Sequence, residues 1–388
     1  MHVVMLLLNP YTHDSRVEKE AASLRDAGYR VTILALADDN LPRIEVRAGI
    51  AIHRIQRPTW PPVLRFFSHR RRMLAALRAL KPDIIHAGDT ETLDVAAIGA
   101  GRLSVPFVYD AHELWLERVR RDRSHLYWEL AQWYFARVER RYLHRAAACI
   151  TVSPPIARHL ERAYALDQVT VVPNYPEDAP PGTPRELRSL PGADGIPRDA
   201  PIVLYLGNAT AGRGIEHLIA AMARVPDGHL VLLGAAEQRE SVQRRALQHG
   251  VTDRVHALPR VAPEEVVAYA ASATIGVSPI PPTSLSYRYS LPNKLFQYMQ
   301  AGLAVVASNF PQVREVVDDT GAGTTVDPRD VPALAAAIER YLADPVLRAQ
   351  AGERGRGAVK ERFNWSVSAA ALLDVYDRVE VSRGIGER

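Results

Sequence analysis

The sequence predicts an α/β protein of two domains, each a parallel sheet with crossover helices. Short apolar strands alternate with amphipathic helical patterns through both halves. A proline-rich stretch, Pro173 to Pro201, breaks the alternation once, and the pattern restarts after it. At 388 residues the chain also has the length of two domains.

In the first half, strands are expected at 3–8, 31–36, 84–86, 106–109, 148–152 and 169–172. Helices fall between them, such as Arg16–Ala27, Thr92–Leu103 and Tyr127–His144. Pro176, Pro180, Pro181, Pro184, Pro191 and Pro197 follow without apolar periodicity and read as a linker. In the second half, strands are expected at 202–206, 229–233, 274–277 and 304–307, with helices around 215–223, 263–271, 311–317 and 330–342. Ligands of such sheets bind outside the carboxyl ends of the strands, so the turns that follow strands are where chemistry is sought.

Hydrophobic content of 47% and charged content of 24% are ordinary for a globular protein. The single cysteine, Cys149, excludes an intramolecular disulfide and sits in an apolar run, as a small buried hydrophobe would. The run Val3–Leu8 is too short for a signal-peptide core and lacks a basic lead. No segment approaches the ~18 apolar residues of a membrane span, so a cytoplasmic protein is expected. The net charge is only +4, but Arg65, His69, Arg70, Arg71 and Arg72 cluster beside Trp60, Met73 and Leu74. Such a cluster suits peripheral contact with an anionic membrane through Arg65, Arg70, Arg71 and Arg72, or a plain solvated helix face. No nucleic-acid motif accompanies it.

The most informative stretch is Ser286 to Ser308, SYRYSLPNKLFQYMQAGLAVVAS. It reads as a polar loop, Pro292 at the first position of a helix, a face of Leu295, Phe296 and Met299, a Gly302 stop and a buried strand. Ser290, Asn293 and Lys294 therefore crowd a helix N-terminus, where free N–H groups and the helix dipole favour an anion. Lys294 is one of only four lysines, against 48 Lys plus Arg.

A second candidate is the turn Gly207 to Gly214, between a buried strand and a helix. Gly207 and Gly212 permit close backbone approach to a phosphate, and Arg213 supplies a fixed charge. The turn is neither a P-loop nor a dinucleotide fingerprint. Two phosphate-like sites in one domain suggest a diphosphate ligand. In the first half, Asp14 or Ser15 can cap a helix, and Arg16 is placed to reach a ligand or to sit in an ordinary turn. His112, at a strand end beside two carboxylates, can bond or orient a substrate hydroxyl. His86 and Asp89 are a weaker version of the same arrangement. No zinc-ligand spacing and no Gly-x-Ser-x-Gly elbow occurs, so neither a metal centre nor a serine hydrolase is expected.

These motifs resemble the retaining glycosyltransferases of family 4. The resemblance runs through DSRVEKEAASL, PDIIHAGD, VPFVYDAHELW, ITVSPPIARHL, VTVVPNYPE, LYLGNATAGRGIEHLIAAM and SLPNKLFQYMQAGLAVVASNFPQVREVV. It implies a GT-B fold, two Rossmann-like domains facing across a cleft. By that reading residues 1–178 bind the acceptor, 179–199 are the linker, 200–364 bind the donor, and 365–388 form a helix crossing back to the first domain. Arg213 and Lys294 would hold the diphosphate of a nucleotide-sugar donor, and His112 would stand near the transferring sugar, with no metal and no cofactor beyond the donor. Gly207, Gly212, Ser290, Asn293 and Gln297, with Ser15 and Arg16, are counted with the binding residues, and loop 258–261 with contacts to the base. Where the family carries two glutamates around this helix, the chain has Tyr289 and Gln297. Asp14, Ser15 and Arg16 stand where many relatives have paired glycines. The acceptor class implied is cell-envelope polysaccharide or a glycosylated metabolite. A nucleotide-sugar epimerase of similar fold, or a catalytically silent binding subunit, are the alternatives.

Overall fold

The computed structural model describes residues 1–12, 14–38, 40–56, 62–117, 125–177, 182–382 and 384, with the side chains of 62–67 and 125–127 excepted. The chain divides into two compact units, Met1–Asn174 with Val367–Arg388, and Tyr175–Ser366.

The first unit is built on the strands β1 (His2–Leu6), β2 (Arg30–Leu36), β3 (Ile44–Arg47), β4 (Ile50–Ile55), β5 (Ile84–Gly88), β6 (Phe107–Ala111), β7 (Ala148–Thr151) and β8 (Val169–Val171). Their order is β3-β4-β2-β1-β5-β6-β7-β8, parallel throughout except for the β3–β4 pair. β1, β5 and β6 are buried at every residue, as central strands covered on both faces should be. Helix Ser15–Asp26 starts under an Asp14 cap that accepts from the Val17 N–H at 3.3 Å. The chain reverses direction across the sheet between β1 and β5, so the carboxyl ends of those strands form the crevice of this unit.

The hairpin β3–β4 was not among the expected strands. Its turn, Ala48-Gly49, has positive φ at both residues (49° and 78°), as tight hairpin turns demand. From Val367 the C-terminal helix Trp365–Ser382 belongs to this unit. It buries Leu372, Val375, Tyr376 and Val379 at helical spacing, and the Tyr376 ring meets Tyr29 edge-on at 5.6 Å.

The second unit carries β9 (Ile202–Leu206), β10 (His229–Leu233), β11 (Val255–Leu258), β12 (Ile275–Ser278), β13 (Ala304–Ser308) and β14 (Gly323–Val326). All pairings are parallel, in the order β11-β10-β9-β12-β13-β14, which puts the reversal between β9 and β12. The stretch expected to be a free linker is in large part a piece of this unit. Leu187, Ala193 and Ile196 are buried in its core, and the Leu187 N–H donates to Ser272 Oγ at 3.0 Å. Prolines set the backbone there, but the few apolar side chains between them found a core to enter. Pro180 and Pro181 lie outside the described residues. Among the described residues no helix is long and apolar enough to cross a membrane.

Candidate functional site

The reversal between β9 and β12 brings two loops together. β9 ends at Leu206, and the turn after it has positive φ at Gly207 (103°), Gly212 (78°) and Gly214 (76°). A Cβ on Gly214 would stand 1.7 Å from the Pro279 carbonyl oxygen, so only glycine lets this turn press against the loop that follows β12. Arg213 stands between Gly212 and Gly214 in that turn.

The opposite wall is the helix Asn293–Gln300. Pro292 is its cap rather than its first residue, at φ −73° and ψ 133°, because its carbonyl already accepts the Leu295 N–H. Leu295, Phe296 and Met299 face the core as the spacing predicts. Tyr298 locks the helix in place. Its hydroxyl donates to the Val277 carbonyl at 3.1 Å and accepts from the Leu206 N–H at 2.8 Å. The ring fits because residue 276 is glycine, where a Cβ would lie 2.2 Å from it.

A cleft of about 570 Å³ opens between these walls, lined among others by Gly207, Asn208, Arg213, Arg260, Asn293, Lys294 and Gln297. Lys294 Nζ stands 3.6 Å over the Tyr205 ring, and the Arg213 guanidinium lies 5.3 Å from the centre of the Tyr287 ring. Burial, then the neighbouring Arg213 charge, hold the Lys294 amine well below the usual lysine range. Among the described residues the lining contains Arg213, Arg260 and Lys294 and no carboxylate. Such a site is short of negative charge, which an anionic ligand supplies.

Ser290 and Gly212 do not line this cleft. Ser290 donates to the Tyr287 carbonyl at 2.7 Å, so its hydroxyl stabilises the preceding turn, while Gly212 shapes the Arg213 loop. Sequence reasoning named the loops but not the residues Asn208 and Arg260, which are joined by a 2.9 Å hydrogen bond. Arg260 follows the edge strand β11, and its strand-end position was the available signal.

The first unit gathers a second group at the ends of β5 and β6. Asp110 is wholly buried and accepts two hydrogen bonds from Arg16, Nε to Oδ2 at 2.9 Å and Nη2 to Oδ1 at 2.8 Å. Arg16 also donates to the Val172 carbonyl at 2.6 Å and meets Glu20 at 3.0 Å. His112 Nε2 lies 2.8 Å from Asp110 Oδ2, and its Nδ1 lies 3.4 Å from Asp89 Oδ2. Burial alone would lower the His112 pKa, but Asp89 and Asp110 carry it well above the ordinary value. Burial pushes the Glu20 carboxyl up to about 7 against the pull of Arg16. His86 Nδ1 is 2.8 Å from the Tyr376 hydroxyl.

This arrangement corrects the expectation for Arg16. Its guanidinium is 4% exposed and committed to internal acceptors, so it holds the cluster together and does not reach a ligand. Ser15 is exposed in the first helical turn, and Asp14 takes the capping role. Glu20, His86 and Asp110 have the spacing of a metal site, but the Arg16 cation is bound to two of them. Arg70, Arg71 and Arg72 lie on helix Pro62–Leu80. Arg70 pairs with Asp94 at 3.0 Å and Arg72 donates to the Gln56 carbonyl at 2.8 Å. Trp60 and the Arg65 side chain lie outside the described residues.

Two Rossmann-like parallel-sheet units, each with its polar residues at the strand carboxyl ends, define a GT-B glycosyltransferase fold. Residues 15–175 match Glycosyltransferase Family 4, and residues 189–358 match glycosyl transferases group 1. The chain is 27% identical to an MMP α-(1→4)-mannosyltransferase of Mycolicibacterium hassiacum, over 86% of this chain and 80% of that protein. It is 30% identical to an α-maltose-1-phosphate synthase of Mycolicibacterium smegmatis, over 71% of this chain and 73% of that one. In fold it is similar to a sucrose-phosphate synthase of Thermosynechococcus elongatus, with a TM-score of 0.78, 23% identity, and coverage of 98% of this chain and 100% of that chain. The chain belongs to glycosyltransferase family 4, and is a glycosyltransferase enzyme.

Proposed function

We propose that the enzyme moves a sugar from a nucleoside-diphosphate sugar, bound in the second unit, to an acceptor hydroxyl, with retention at the anomeric carbon and without a divalent metal. The observation that carries this reading is the pair Arg213 and Lys294 in one cleft with no lining carboxylate among the described residues. A diphosphate between them gives each cation its missing partner and relieves their mutual repulsion. As the bond from the anomeric carbon to the β-phosphate oxygen breaks, negative charge grows on the leaving diphosphate, and two fixed cations stabilise that charge. A divalent ion is usually held by at least one carboxylate. The lining offers amides and cations instead.

Retention follows if the acceptor oxygen forms its new bond on the face the diphosphate leaves. The acceptor proton then passes to the departing β-phosphate oxygen. The acceptor side is assigned to the first unit, whose cluster ends in His112, with its ring nitrogens facing Asp110 and Asp89 and its pKa raised by both. Both ring nitrogens face carboxylates, so what the ring offers a sugar is its raised proton affinity and a face left 20% exposed. Gln297, which lines the cleft, keeps an acceptor oxygen for a ribose hydroxyl and adds N–H donors.

The test is thermal unfolding of the protein with UDP, GDP, ADP, TDP, CDP or NAD, without added metal. One nucleoside diphosphate raises the midpoint by mass action, and Arg213→Ala abolishes the rise. That nucleotide's sugars then serve as donors in an acceptor screen. No rise with any diphosphate sinks the reading and favours a silent binding subunit.

A further inference from the structure

A second concave surface lies in the first unit, between helices Pro62–Leu80 and Thr90–Leu103. Its volume is about 620 Å³, and its polar lining is Arg70, Arg71, Arg78 and Arg102 over a floor of Leu74, Ala75 and Ile98. We infer that this groove is an anion site that binds the phosphate group of a phosphate ester, separately from the donor cleft.

The first argument is charge. Helix Pro62–Leu80 carries five arginines and no Asp or Glu, so it lacks the alternating ion pairs of an ordinary solvated helix. Among the described residues no carboxylate lines the groove. Arg70 is the one with a counter-charge, and it is braced: it meets Asp94 at 3.0 Å and donates to the Tyr134 hydroxyl at 3.2 Å. Arg71, Arg78 and Arg102 are exposed and make no ion pair among the described residues. Gathering like charges into a concavity is unfavourable until an anion enters it.

The second argument is chemistry. Guanidinium forks match the oxygens of phosphate in pairs, which a chloride ion cannot exploit. The floor of Leu74, Ala75 and Ile98 takes an apolar portion beside the phosphate. Helix dipoles give no help, because Arg78 and Arg102 sit in the last turns of their helices, where the partial charge is negative. The arginines alone supply the attraction.

The third argument is position. The two helices lead into the starts of β5 and β6, whereas Asp89 and His112 lie at the carboxyl ends of those strands. The groove is therefore set apart from the His112 cluster. A phosphate bound there is a regulator or an anchor, supplied by a free phosphorylated metabolite or by a lipid headgroup.

The experiment compares the unaltered protein with Arg71→Gln/Arg78→Gln/Arg102→Gln and with a charge-matched control, Arg224→Gln/Arg244→Gln/Arg354→Gln. All three are made in an Arg213→Ala background that silences the donor cleft, so the unaltered protein is here the one with no further substitution. Arg70 is left in place because it braces Asp94. Thermal unfolding is followed against sodium phosphate, with sodium chloride at equal ionic strength as the reference. The same proteins are sedimented with phosphatidylcholine vesicles, with and without phosphatidylglycerol.

A phosphate-specific rise in midpoint is expected in the unaltered and control proteins, with apparent affinity about tenfold weaker in the groove variant. Sedimentation with the anionic vesicles, lost in the groove variant alone, identifies the source as lipid. A phosphate effect without sedimentation identifies a soluble ester. The inference is overturned if the unaltered protein shows neither effect, if the groove variant keeps both, or if the control loses them equally. Failure of this test leaves the donor cleft untouched, since that reading rests on nucleotide binding lost with Arg213.

Discussion

Asp110 joins Arg16 to His112: its Oδ2 accepts from Arg16 Nε at 2.9 Å and lies 2.8 Å from His112 Nε2. One buried carboxylate thus serves two cations. Burial works against its charge, but Arg16 and then His112 hold its pKa well below the ordinary carboxylate range. The same contacts favour the charged form of Asp110 and the protonated form of His112.

The Asp110→Asn variant breaks both links at once. Arg16 keeps its buried charge with Glu20 as a weaker partner, so stability is expected to fall by about 3–5 kcal/mol. His112 loses one of two raising carboxylates, and its pKa falls. In the unaltered protein the His112 pKa is raised on folding, so its stabilisation is complete below the ordinary value of 6.5 and is lost as pH climbs through the folded value. Urea unfolding at several pH values, with imidazole titration by NMR, checks both points. A His112 titration unchanged in Asp110→Asn would refute the coupling.

Lys294 gives the opposite sign. Its amine is held below the ordinary value of 10.5, first by burial and then by Arg213. The unfolded chain binds the proton more tightly, so the Lys294 contribution to stability increases with pH up to about 10.5. Lys294→Met is expected to leave the unfolding midpoint unchanged or higher while slowing transfer about 10²- to 10³-fold. A bound diphosphate reverses the shift, so nucleotide binding at alkaline pH takes up a proton. Calorimetry in buffers of different ionisation enthalpy measures that uptake directly.

The central strands and the helix after Pro292 were legible because each depends on a local pattern. Apolar runs of strand length between turn signals give β1, β5, β6, β9 and β13, and the face Leu295–Phe296–Met299 gives the helix. The hairpin β3–β4 is also a local pattern, yet Ala48-Gly49 lacks the asparagine that usually announces such a turn. Arg213 and Lys294 were legible as separate anion sites. That they share a cleft depends on strand order, which brings β9 beside β12. The fate of Arg16 could not be read locally, because its partner Asp110 lies 94 residues away. The linker was misjudged for a related reason: Leu187 and Ile196 show no periodicity, and only the folded unit offers them a core.

The pair His229 and His256 makes stability fall on the acid side. Their rings stack at 5.3 Å, with Nδ1 of His229 3.1 Å from Nε2 of His256. Burial and then His229 bring the His256 pKa down to about 4 from 6.5. The unfolded chain therefore binds the proton first, and stability is lost as pH drops from 6.5 toward about 4. In His256→Gln this part of the slope disappears, leaving what His229, His2 and the carboxylates contribute. Denaturant midpoints at pH values above and within that window give the comparison, and equal slopes in the two proteins would exclude the assignment.

Gly214 tests whether the anion turn depends on its contact with the β12 loop. Alanine there meets two independent penalties: φ is 76°, and the new methyl would lie 1.7 Å from the Pro279 carbonyl oxygen. The backbone cannot keep its place, so the turn must lift away from Pro279 and carry Arg213 with it. A loss of about 2–4 kcal/mol is expected, together with weaker diphosphate binding. Gly212→Ala is the useful contrast. Its φ is also positive, at 78°, but a methyl there has ordinary room, with Tyr287 at 3.8 Å. It should cost about 1 kcal/mol from backbone strain alone and leave the turn seated against Pro279. If both variants lose binding equally, strain in the turn is what matters. If only Gly214→Ala does, the close packing on Pro279 is what aims Arg213 into the cleft.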